Sequence, residues 1–210
     1  MKKTRFITLE GSEGAGKSTN MDYIQKGLRA QGIDIVTTRE PGGTPIGEDI
    51  RQLLLGHKHT GMSDDTELLL MFAARAEHLD KVIRPALEKG QWVLCDRFTD
   101  ATYAYQGGGR GIASDRIATL ENWTQAELRP DLTIYLDVPI ETGRQRAGDR
   151  SAPDRFEKEQ NAFFNKARKV YLDRAEQEPA RFRVIDASTS LDQVQVYLDE
   201  VLQELVSKKR

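Results

Sequence analysis

Short apolar segments alternate along this chain with longer segments in which apolar residues recur every three or four positions. The short segments predict five buried strands, at residues 6–10, 33–38, 92–96, 132–137 and 183–186. The longer segments predict helices at residues 18–30, 46–55, 67–88, 115–127, around 140–146, at 157–176 and at 191–205. This alternation predicts an α/β fold, with a parallel sheet covered by helices on both faces.

Acidic residues stand at or just beyond the ends of the predicted strands. These residues are Glu10, Glu40, Asp96, Asp137 and Asp186. Ligands bind at the carboxyl ends of the strands in open α/β sheets, so each acid is a candidate for chemistry. Acids at strand ends also cap helices and form turns, and that alternative stays open for each of them.

The first strand leads into a complete phosphate-binding motif. Residues 11–18 match G-x-x-x-x-G-K-[ST], with a predicted strand before them and a predicted helix after them. The glycines let backbone N–H groups point at phosphate oxygens, and the positive end of the helix adds to this attraction. Lys17 is expected to reach the β- and γ-phosphates, and the Ser18 hydroxyl to ligate Mg²⁺. The predicted ATP-binding residues here are Gly11, Ser12, Glu13, Gly14, Ala15, Gly16, Lys17, Ser18 and Thr19.

Composition and charge argue against nucleic-acid-binding and membrane-spanning proteins. The chain has 210 residues, the length of a single domain, and carries 31 basic against 33 acidic side chains. This near balance gives no sign of nucleic-acid binding. The one cysteine, Cys95, lies in an apolar run and is expected to be a buried hydrophobe in a reducing compartment. No apolar stretch approaches the roughly 20 residues of a membrane span, so a cytoplasmic protein with no membrane partner is expected.

The polar segments after the second and third strands favour a kinase over other phosphate-loop proteins. The N-K-x-D motif typical of GTPases is missing from the sequence, which argues against that class. The Pro-Gly-Gly at 41–43 forces a turn that would present Glu40 at a strand end. At the next strand end, Asp96 can hold Mg²⁺ or its waters, while the planar guanidinium of Arg97 can bind a phosphate.

Four arginines crowd one segment after the fourth strand, which Gly148 and Pro153 interrupt. In a phosphate-loop enzyme such a segment suggests a lid, at about residues 144–156, that closes over the transferring phosphoryl group. A solvated, charged helix followed by a loop is the alternative. The four residues are Arg144, Arg146, Arg150 and Arg155.

Together these segments closely resemble bacterial members of the thymidylate kinase family, which phosphorylate dTMP. The resemblance covers nearly the whole chain. It is carried by the phosphate-binding motif, the Arg-Glu-Pro-Gly-Gly turn at 39–43 and the Tyr-Gln-Gly-Gly-Gly-Arg-Gly run at 105–111. It implies a P-loop NTPase-type three-layer fold with a small lid. It also implies transfer of the γ-phosphate of ATP to dTMP, which gives ADP and dTDP for dTTP synthesis.

The resemblance implies roles for the residues that hold the acceptor nucleotide. Arg97 would bind the monophosphate of dTMP, and Glu40 would lie by the sugar 3′-hydroxyl and the phosphates. Glu13 of the phosphate loop would border the same acceptor site. Arg51 and Arg75 would line the thymine pocket, with Arg75 reaching a base carbonyl.

A second group of residues would read the thymine and the sugar. Thr102 and Gln106 match the positions that read the polar edge of thymine. Tyr105 matches the tyrosine that crowds the 2′ position and rejects a ribonucleotide. An aromatic residue one helical turn before residue 75 normally stacks on the base. Phe72 is favoured for that role, with Met71 covering the base as the alternative.

The catalytic charge would come partly from the lid. Family members that carry a catalytic arginine in the phosphate loop place it after an acid, whereas Gly14 follows Glu13 here. The resemblance is therefore to members whose catalytic arginines lie in the lid, with Arg150 as the candidate and Arg155 as the alternative. Arg146 would stack on adenine as part of the ATP site.

The predicted catalytic group combines the phosphate loop, the strand ends and the lid. Mg²⁺ would be bound by Ser18 and, directly or through water, by Asp96. The family is typically a homodimer, packed through helices that would include parts of residues 67–88. The catalytic residues expected on this basis are Lys17, Glu40, Asp96, Arg97 and Arg150.

Three other functions are alternatives to this one. The first is a kinase for another nucleotide or a deoxynucleoside, which Thr102, Tyr105 and Gln106 argue against. The second is a binding module whose ATP cycle drives conformational signalling. The third is a kinase scaffold that has lost its activity, although every phosphate-handling position is filled.

Overall fold

The computed structural model describes residues 4–59, 61–148, 155–156 and 159–207. Within these ranges five strands form one sheet in the order β2-β3-β1-β4-β5, and each neighbouring pair is parallel. The predicted α/β class and five-stranded parallel sheet are thereby confirmed. The strands are β1 (Phe6–Gly11), β2 (Ile35–Arg39), β3 (Trp92–Asp96), β4 (Leu132–Asp137) and β5 (Phe182–Asp186).

Helices connect the strands and cover both faces of the sheet. A 3₁₀ turn at His57–His59 and π-helical segments at Leu79–Ile83 and Tyr103–Gly109 join some of them. No helix in the described part of the chain is long and apolar enough to cross a membrane. The helices are α1 (Lys17–Ala30), α2 (Pro45–Leu55), α3 (Asp64–His78), α4 (Arg84–Glu88), α5 (Thr99–Thr102), α6 (Ser114–Gln125), α7 (Ile140–Gly148), α8 (Asn161–Gln177) and α9 (Leu191–Ser207).

The two faces of the sheet carry separate hydrophobic cores, because successive side chains of a strand point to opposite faces. Ile7 of β1 packs on one face with Leu28 of α1 and Leu198 of α9. Phe6, its neighbour in the chain, packs on the other face with Ile83 from the π-helical segment before α4. A helix layer, the sheet and a second helix layer therefore follow one another, as predicted.

The helix predicted at residues 67–88 is divided in the structure. It begins earlier, at Asp64, because the Ser63 hydroxyl accepts a hydrogen bond of 3.3 Å from the Thr66 N–H and caps the first turn. It changes to a π-helical segment at Leu79–Ile83 and resumes as α4. Pro85 has no N–H to donate within an α-helix, so a break in the α-helical hydrogen bonding just before it is expected.

Two further boundaries differ from the predicted ones. β2 begins at Ile35 rather than at residue 33, because Ile33 still closes the end of α1 through its N–H bond of 3.2 Å to the Leu28 carbonyl. Gly32 allows this turn with a φ of 72°. α8 begins at Asn161 rather than at residue 157, and residues 157–158 lie outside the described ranges.

The helical segment from Thr99 to Gly109 has no counterpart among the predicted elements. Three consecutive glycines end it, and glycine disfavours helices, so local propensity predicts no helix there. Close packing explains these glycines. A Cβ on Gly108 would lie 2.8 Å from Val170 of α8, and one on Gly109 would overlap the Phe163 ring. This packing fixes Tyr105 and Gln106 at the end of the sheet where the strands finish.

Candidate active site

The phosphate loop joins β1 to α1 in the conformation that its motif predicts. Gly11, Gly14 and Gly16 have positive φ angles of 154°, 72° and 85°, a region that side chains disfavour. A Cβ on Gly14 would lie 1.9 Å from the backbone oxygen of Gly143 in α7. The loop therefore lies directly against the backbone of the helix that leads into the predicted lid.

Lys17 opens α1 and is folded back over the loop. Its Nζ donates hydrogen bonds of 3.1 Å to the carbonyl oxygens of Gly11 and Ser12. Burial, and then the nearby positive charge of Arg97, lower the pKa of Lys17. An anion beside this ammonium group would favour its charged form, which suits a phosphate-binding lysine.

Two side chains next to the loop fit a magnesium site that is completed by phosphate oxygens. Asp96, at the end of β3, has a buried Oδ1 that accepts no hydrogen bond from any described residue. Ser18 and Thr19 are exposed in the first turn of α1. Among the described residues no group of three or more His, Cys, Asp or Glu side chains could hold a metal ion. Mg²⁺ commonly binds one or two carboxylates together with substrate phosphates, so this donor set fits that ion.

A cavity of about 190 Å³ opens beside the phosphate loop at the carboxyl ends of β1, β2 and β3. It is the natural place for a second substrate, because strand ends in this fold form ligand sites. The structure brings together there all but one of the nine residues predicted to bind the acceptor. They are Glu13, Glu40, Arg51, Arg75, Arg97, Thr102, Tyr105 and Gln106.

Phe72 is the exception, and Met71 takes its place in the cavity wall. Phe72 is buried in the core with Leu68 and Tyr103 and does not line the cavity. It still contacts Arg75, whose guanidinium carbon lies 4.8 Å from the centre of its ring. Phe72 therefore does not line the cavity, which favours the alternative, Met71, as the residue that covers the base. The residue four positions before Arg75 faces the cavity, and the residue three before it does not.

Arg97 lies at the end of the cavity nearest the phosphate loop. Its Nη2 is 3.8 Å from the Glu13 carboxylate, and its guanidinium carbon is 4.9 Å from the centre of the Tyr105 ring. Its Nη1 is buried and donates to no described residue. Its backbone has a φ of 66°, held by a hydrogen bond of 3.0 Å from its N–H to the Leu9 carbonyl. A strained backbone of this kind positions a side chain at functional sites.

Glu40 and Arg75 form a buried pair at the other end of the cavity. Arg75 Nε donates to Glu40 at 2.7 Å, and its Nη2 donates to the Thr102 hydroxyl at 3.0 Å. The second oxygen of Glu40 lies 2.9 Å from His78 Nδ1, and His78 Nε2 lies 2.6 Å from Thr38. Arg75 Nη1 is buried without a hydrogen-bond partner among the described residues. It is a donor available for a ligand carbonyl, because unpaired buried donors are costly.

Arg51 approaches the same cavity from α2. Its Nη1 donates a hydrogen bond of 2.9 Å to the carbonyl of Pro41. Burial lowers the pKa of Arg51, and the charge of Arg39 lowers it further. An anionic ligand would offset both effects.

The predicted lid arginines lie in different places. Arg150 lies outside the described residues. Arg146 donates to the carbonyl oxygens of Ala187 and Ser188, at 2.6 and 3.1 Å, in the loop after β5. Arg155 donates to the Leu54 carbonyl at 2.7 Å and also binds a buried glutamate of α3. Arg155 is thus held by α2 and α3 in this structure, and its described contacts include no residue of the phosphate loop, which does not suit the alternative catalytic role.

Several residues at or beside this cavity are not among those predicted from the sequence. Phe156 and Phe164 line the cavity beside Tyr105. Glu67 is completely buried below Gln106. Glu67, Met71 and Arg75 are spaced four apart, so a helical face could have revealed it.

The chain is similar to known proteins over nearly its whole length. The family model described as Thymidylate kinase matches residues 9–197. A curated thymidylate kinase of Pseudomonas syringae pv. tomato is 62% identical over 205 residues, which cover 98% of this chain and 98% of that protein. One from Alkalilimnicola ehrlichii is 59% identical over 209 residues, covering 99% and 96%. A crystal structure of thymidylate kinase from Ehrlichia chaffeensis matches with a TM-score of 0.76 at 33% identity, covering 95% of this chain and 98% of that one.

Proposed function

The chain belongs to the thymidylate kinase family and transfers the γ-phosphate of ATP to dTMP, and we propose that the reaction occurs where the phosphate loop meets the adjoining cavity. ATP binds along the loop, and dTMP occupies the cavity. Arg97 is the residue that best supports this proposal. Its guanidinium group lies beside Glu13 of the phosphate loop and lines the cavity, and its buried Nη1 has no hydrogen-bond partner among the described residues. A phosphate bound there would face the γ-phosphate held by the loop.

The acceptor oxygen of dTMP is already ionised near neutral pH, so the reaction needs alignment and charge neutralisation more than a general base. Lys17 neutralises the β- and γ-phosphates, and Arg97 holds the acceptor phosphate. Arg150 remains the proposed lid cation. Glu40 orients Arg75 through their 2.7 Å contact, which supports a positioning role beside its proposed contact with the 3′-hydroxyl.

Mg²⁺ would be held by Ser18 and Asp96 together with phosphate oxygens of ATP. When bound, it neutralises charge on the β- and γ-phosphates. The buried, unpaired Oδ1 of Asp96 supports this assignment. Arg146, fixed by two carbonyl groups in the loop after β5, is the proposed neighbour of the adenine ring.

At the end of the cavity away from Arg97, the polar side chains match the polar edge of thymine. Arg75 Nη1 would donate to a base carbonyl, and Thr102 and Gln106 stand beside it. Met71 would cover one face of the base. Tyr105, packed by Phe156 and Phe164, would crowd the 2′ position of the sugar and exclude ribonucleotides.

A homodimer in the cytoplasm is the proposed state of the protein. Leu69 of α3 is 57% exposed and Trp123 of α6 is 81% exposed, and large apolar side chains of this kind favour a protein interface. α3 belongs to the segment expected at the interface. The cytoplasm is proposed because ATP and mononucleotides are found there. Sedimentation velocity measures the oligomeric state directly.

Two substitutions separate the loop from the acceptor site. Lys17→Met should lower kcat by about 100-fold or more, because it removes a cation that acts on the transferring phosphoryl group.

Arg97→Lys should raise the KM for dTMP by about 10- to 100-fold, the loss expected for a charge-assisted hydrogen bond, and leave the KM for ATP nearly unchanged. Steady-state kinetics with each substrate varied in turn measure both effects.

The control is Arg116→Met, which removes an exposed arginine that pairs with Asp65 on the surface. Its kinetics should equal those of the wild type. An Arg97→Lys variant that raised the KM for ATP instead of that for dTMP would overturn the assignment of the cavity to the acceptor.

A further inference from the structure

Glu67 is a buried carboxylate that lies behind the cavity without lining it. It is completely buried in α3 and accepts hydrogen bonds from three side chains. Gln106 Nε2 donates to its Oε1 at 2.8 Å. Arg110 contacts both of its oxygens at 3.3 Å, and Arg155 Nη2 donates to its Oε2 at 2.6 Å.

These contacts determine which end of the Gln106 amide faces the cavity. Each oxygen of the Glu67 carboxylate accepts a hydrogen bond from a guanidinium group, and the oxygen near Gln106 has only lone pairs to offer that side chain. The amide nitrogen of Gln106 must therefore point at Glu67. No described residue donates to the amide oxygen of Gln106, which leaves it as an acceptor on the cavity side.

An acceptor that meets the base at N3 distinguishes the pyrimidine bases. Thymine and uracil carry a hydrogen on N3, next to a carbonyl at C4. Cytosine carries an unprotonated N3, next to an amino group. The oxygen of Gln106 can accept from the first pair of bases and opposes a lone pair on cytosine. Sites that pair a buried polar group with one ligand strongly reject an analogue that leaves it unpaired.

The same carboxylate also holds Arg155, at the end of the predicted lid segment. Arg155 binds Glu67 and donates to the carbonyl of Leu54 at 2.7 Å, so it bridges α3 and α2. Phe156, the next residue, lines the cavity and contacts Tyr105 with ring centres 6.1 Å apart. The contact of Arg155 with Glu67 therefore helps to hold Phe156 in the cavity wall.

We propose that Glu67 is a positioning residue for base selection: it holds the Gln106 amide with its oxygen toward the acceptor base. This inference rests on the proposed placement of dTMP in the cavity. Glu67 does not line the cavity, and it acts through Gln106.

Glu67→Gln tests the orientation of the amide with almost no change in volume. Arg155 makes the shortest contact with Glu67, so the oxygen of the new amide will face Arg155 and its NH₂ group will face Gln106. Gln106 must then turn its own oxygen inward and present its NH₂ group to the base. The ratio of kcat/KM for dTMP to that for dCMP should fall by at least about ten-fold.

Two controls separate this result from general damage. dUMP has the same N3–H and C4 carbonyl as dTMP, so the ratio of dTMP to dUMP should stay constant in Glu67→Gln. Glu121 is a buried glutamate that accepts from Tyr103 at 2.7 Å, and it does not line the cavity. Glu121→Gln should leave both ratios unchanged. A purely structural role for Glu67 predicts equal losses with dTMP and dCMP, and that outcome would overturn the inference.

The wild-type protein gives a second test that needs no stable Glu67 variant. In the NMR spectrum of protein with ¹⁵N-labelled glutamine, the side-chain signal of Gln106 is identified by its loss in Gln106→Ala. It should shift little on addition of dTMP, because its NH₂ group faces Glu67. A large shift would show that the nitrogen contacts the base, against the inference.

Failure of the proposed function has a different signature. If dTMP does not occupy the cavity, Gln106→Ala will leave the preference for dTMP over dCMP intact. If only the inference about Glu67 fails, Gln106→Ala will still reduce that preference while Glu67→Gln does not.

Discussion

The side chain of Glu10 lies in the protein interior, where β1 leads into the phosphate loop, and both of its carboxyl oxygens accept hydrogen bonds. The Phe98 N–H donates to one oxygen and the Tyr171 hydroxyl donates to the other, each at 2.7 Å. Burial, and then the charge of Asp100, raise the pKa of Glu10 to about 8. The hydrogen bonds and Arg97 act in the opposite direction with smaller effect. Glu10 is therefore largely protonated in the folded protein at neutral pH.

A dependence of stability on pH follows from this raised pKa. Between pH 4.5, the ordinary pKa of the group, and about pH 8, the folded protein holds a proton that the unfolded chain has lost. The free energy of unfolding should therefore fall as pH rises through that window. Glu10→Gln removes the titrating group, so its stability relative to the wild type should increase from pH 5.5 to pH 7.5. Urea unfolding at several pH values measures this difference, and a constant difference would contradict it.

Phe72 and Met71 illustrate what single positions in a sequence leave open. Both lie within one helical turn of Arg75, so spacing alone placed either residue on the cavity side. Packing decided between them, because Phe72 fills the core beside Leu68. Residues that act through charge at the strand ends, such as Arg97, were easier to predict. Their position follows from the end of a strand and does not depend on the rotation of a helix.

Helix α7 and the phosphate loop touch backbone to backbone, and two glycines make this contact possible. A Cβ on Gly143 would lie 2.6 Å from the carbonyl oxygen of Glu13. Gly14, on the loop side, meets the oxygen of Gly143. An arginine at position 14, as in other family members, would collide with α7 in this arrangement. The close approach of α7 is therefore compatible with Gly14 and not with an arginine at that position.

Gly143→Ala tests this contact through a single methyl group. The added Cβ must displace α7 from the loop, and overpacking of this kind costs about 1–3 kcal/mol. We expect kcat/KM for ATP to fall by about ten-fold or more. Gly148→Ala, in the same helix, is the matched control, because no atom of the described residues lies within 4 Å of its new methyl group. Equal kinetics for the two variants would show that α7 does not act on the loop.

The elements themselves were predictable where one apolar period continued through a segment. The five strands and α1, α2, α6 and α9 appear within a few residues of their predicted positions. The helical segment from Thr99 to Gly109 was missed, because its three glycines serve packing against α8 and contradict local helix propensity. A tertiary contact overrode the local signal there.

At the scale of the whole molecule, the carboxyl ends of three strands bring together the residues of both proposed substrate sites. β1 supplies the phosphate loop, β2 leads to Glu40, and β3 supplies Asp96 and Arg97. Topology therefore explains why residues far apart in the chain were predicted to meet. The buried contacts behind them, such as Glu67 with Gln106, depend on side-chain packing between helices, which no sequence pattern specified.

The most direct test of the account is the choice of acceptor by the wild-type protein. Production of ADP with ATP and Mg²⁺ would be measured for dTMP, dUMP, dCMP, AMP, GMP and the ribonucleotide of thymine. The account predicts the highest kcat/KM with dTMP, a lower value with dUMP, and weak activity with the others, the ribonucleotide of thymine among them. Faster turnover of AMP, GMP or dCMP than of dTMP would contradict it.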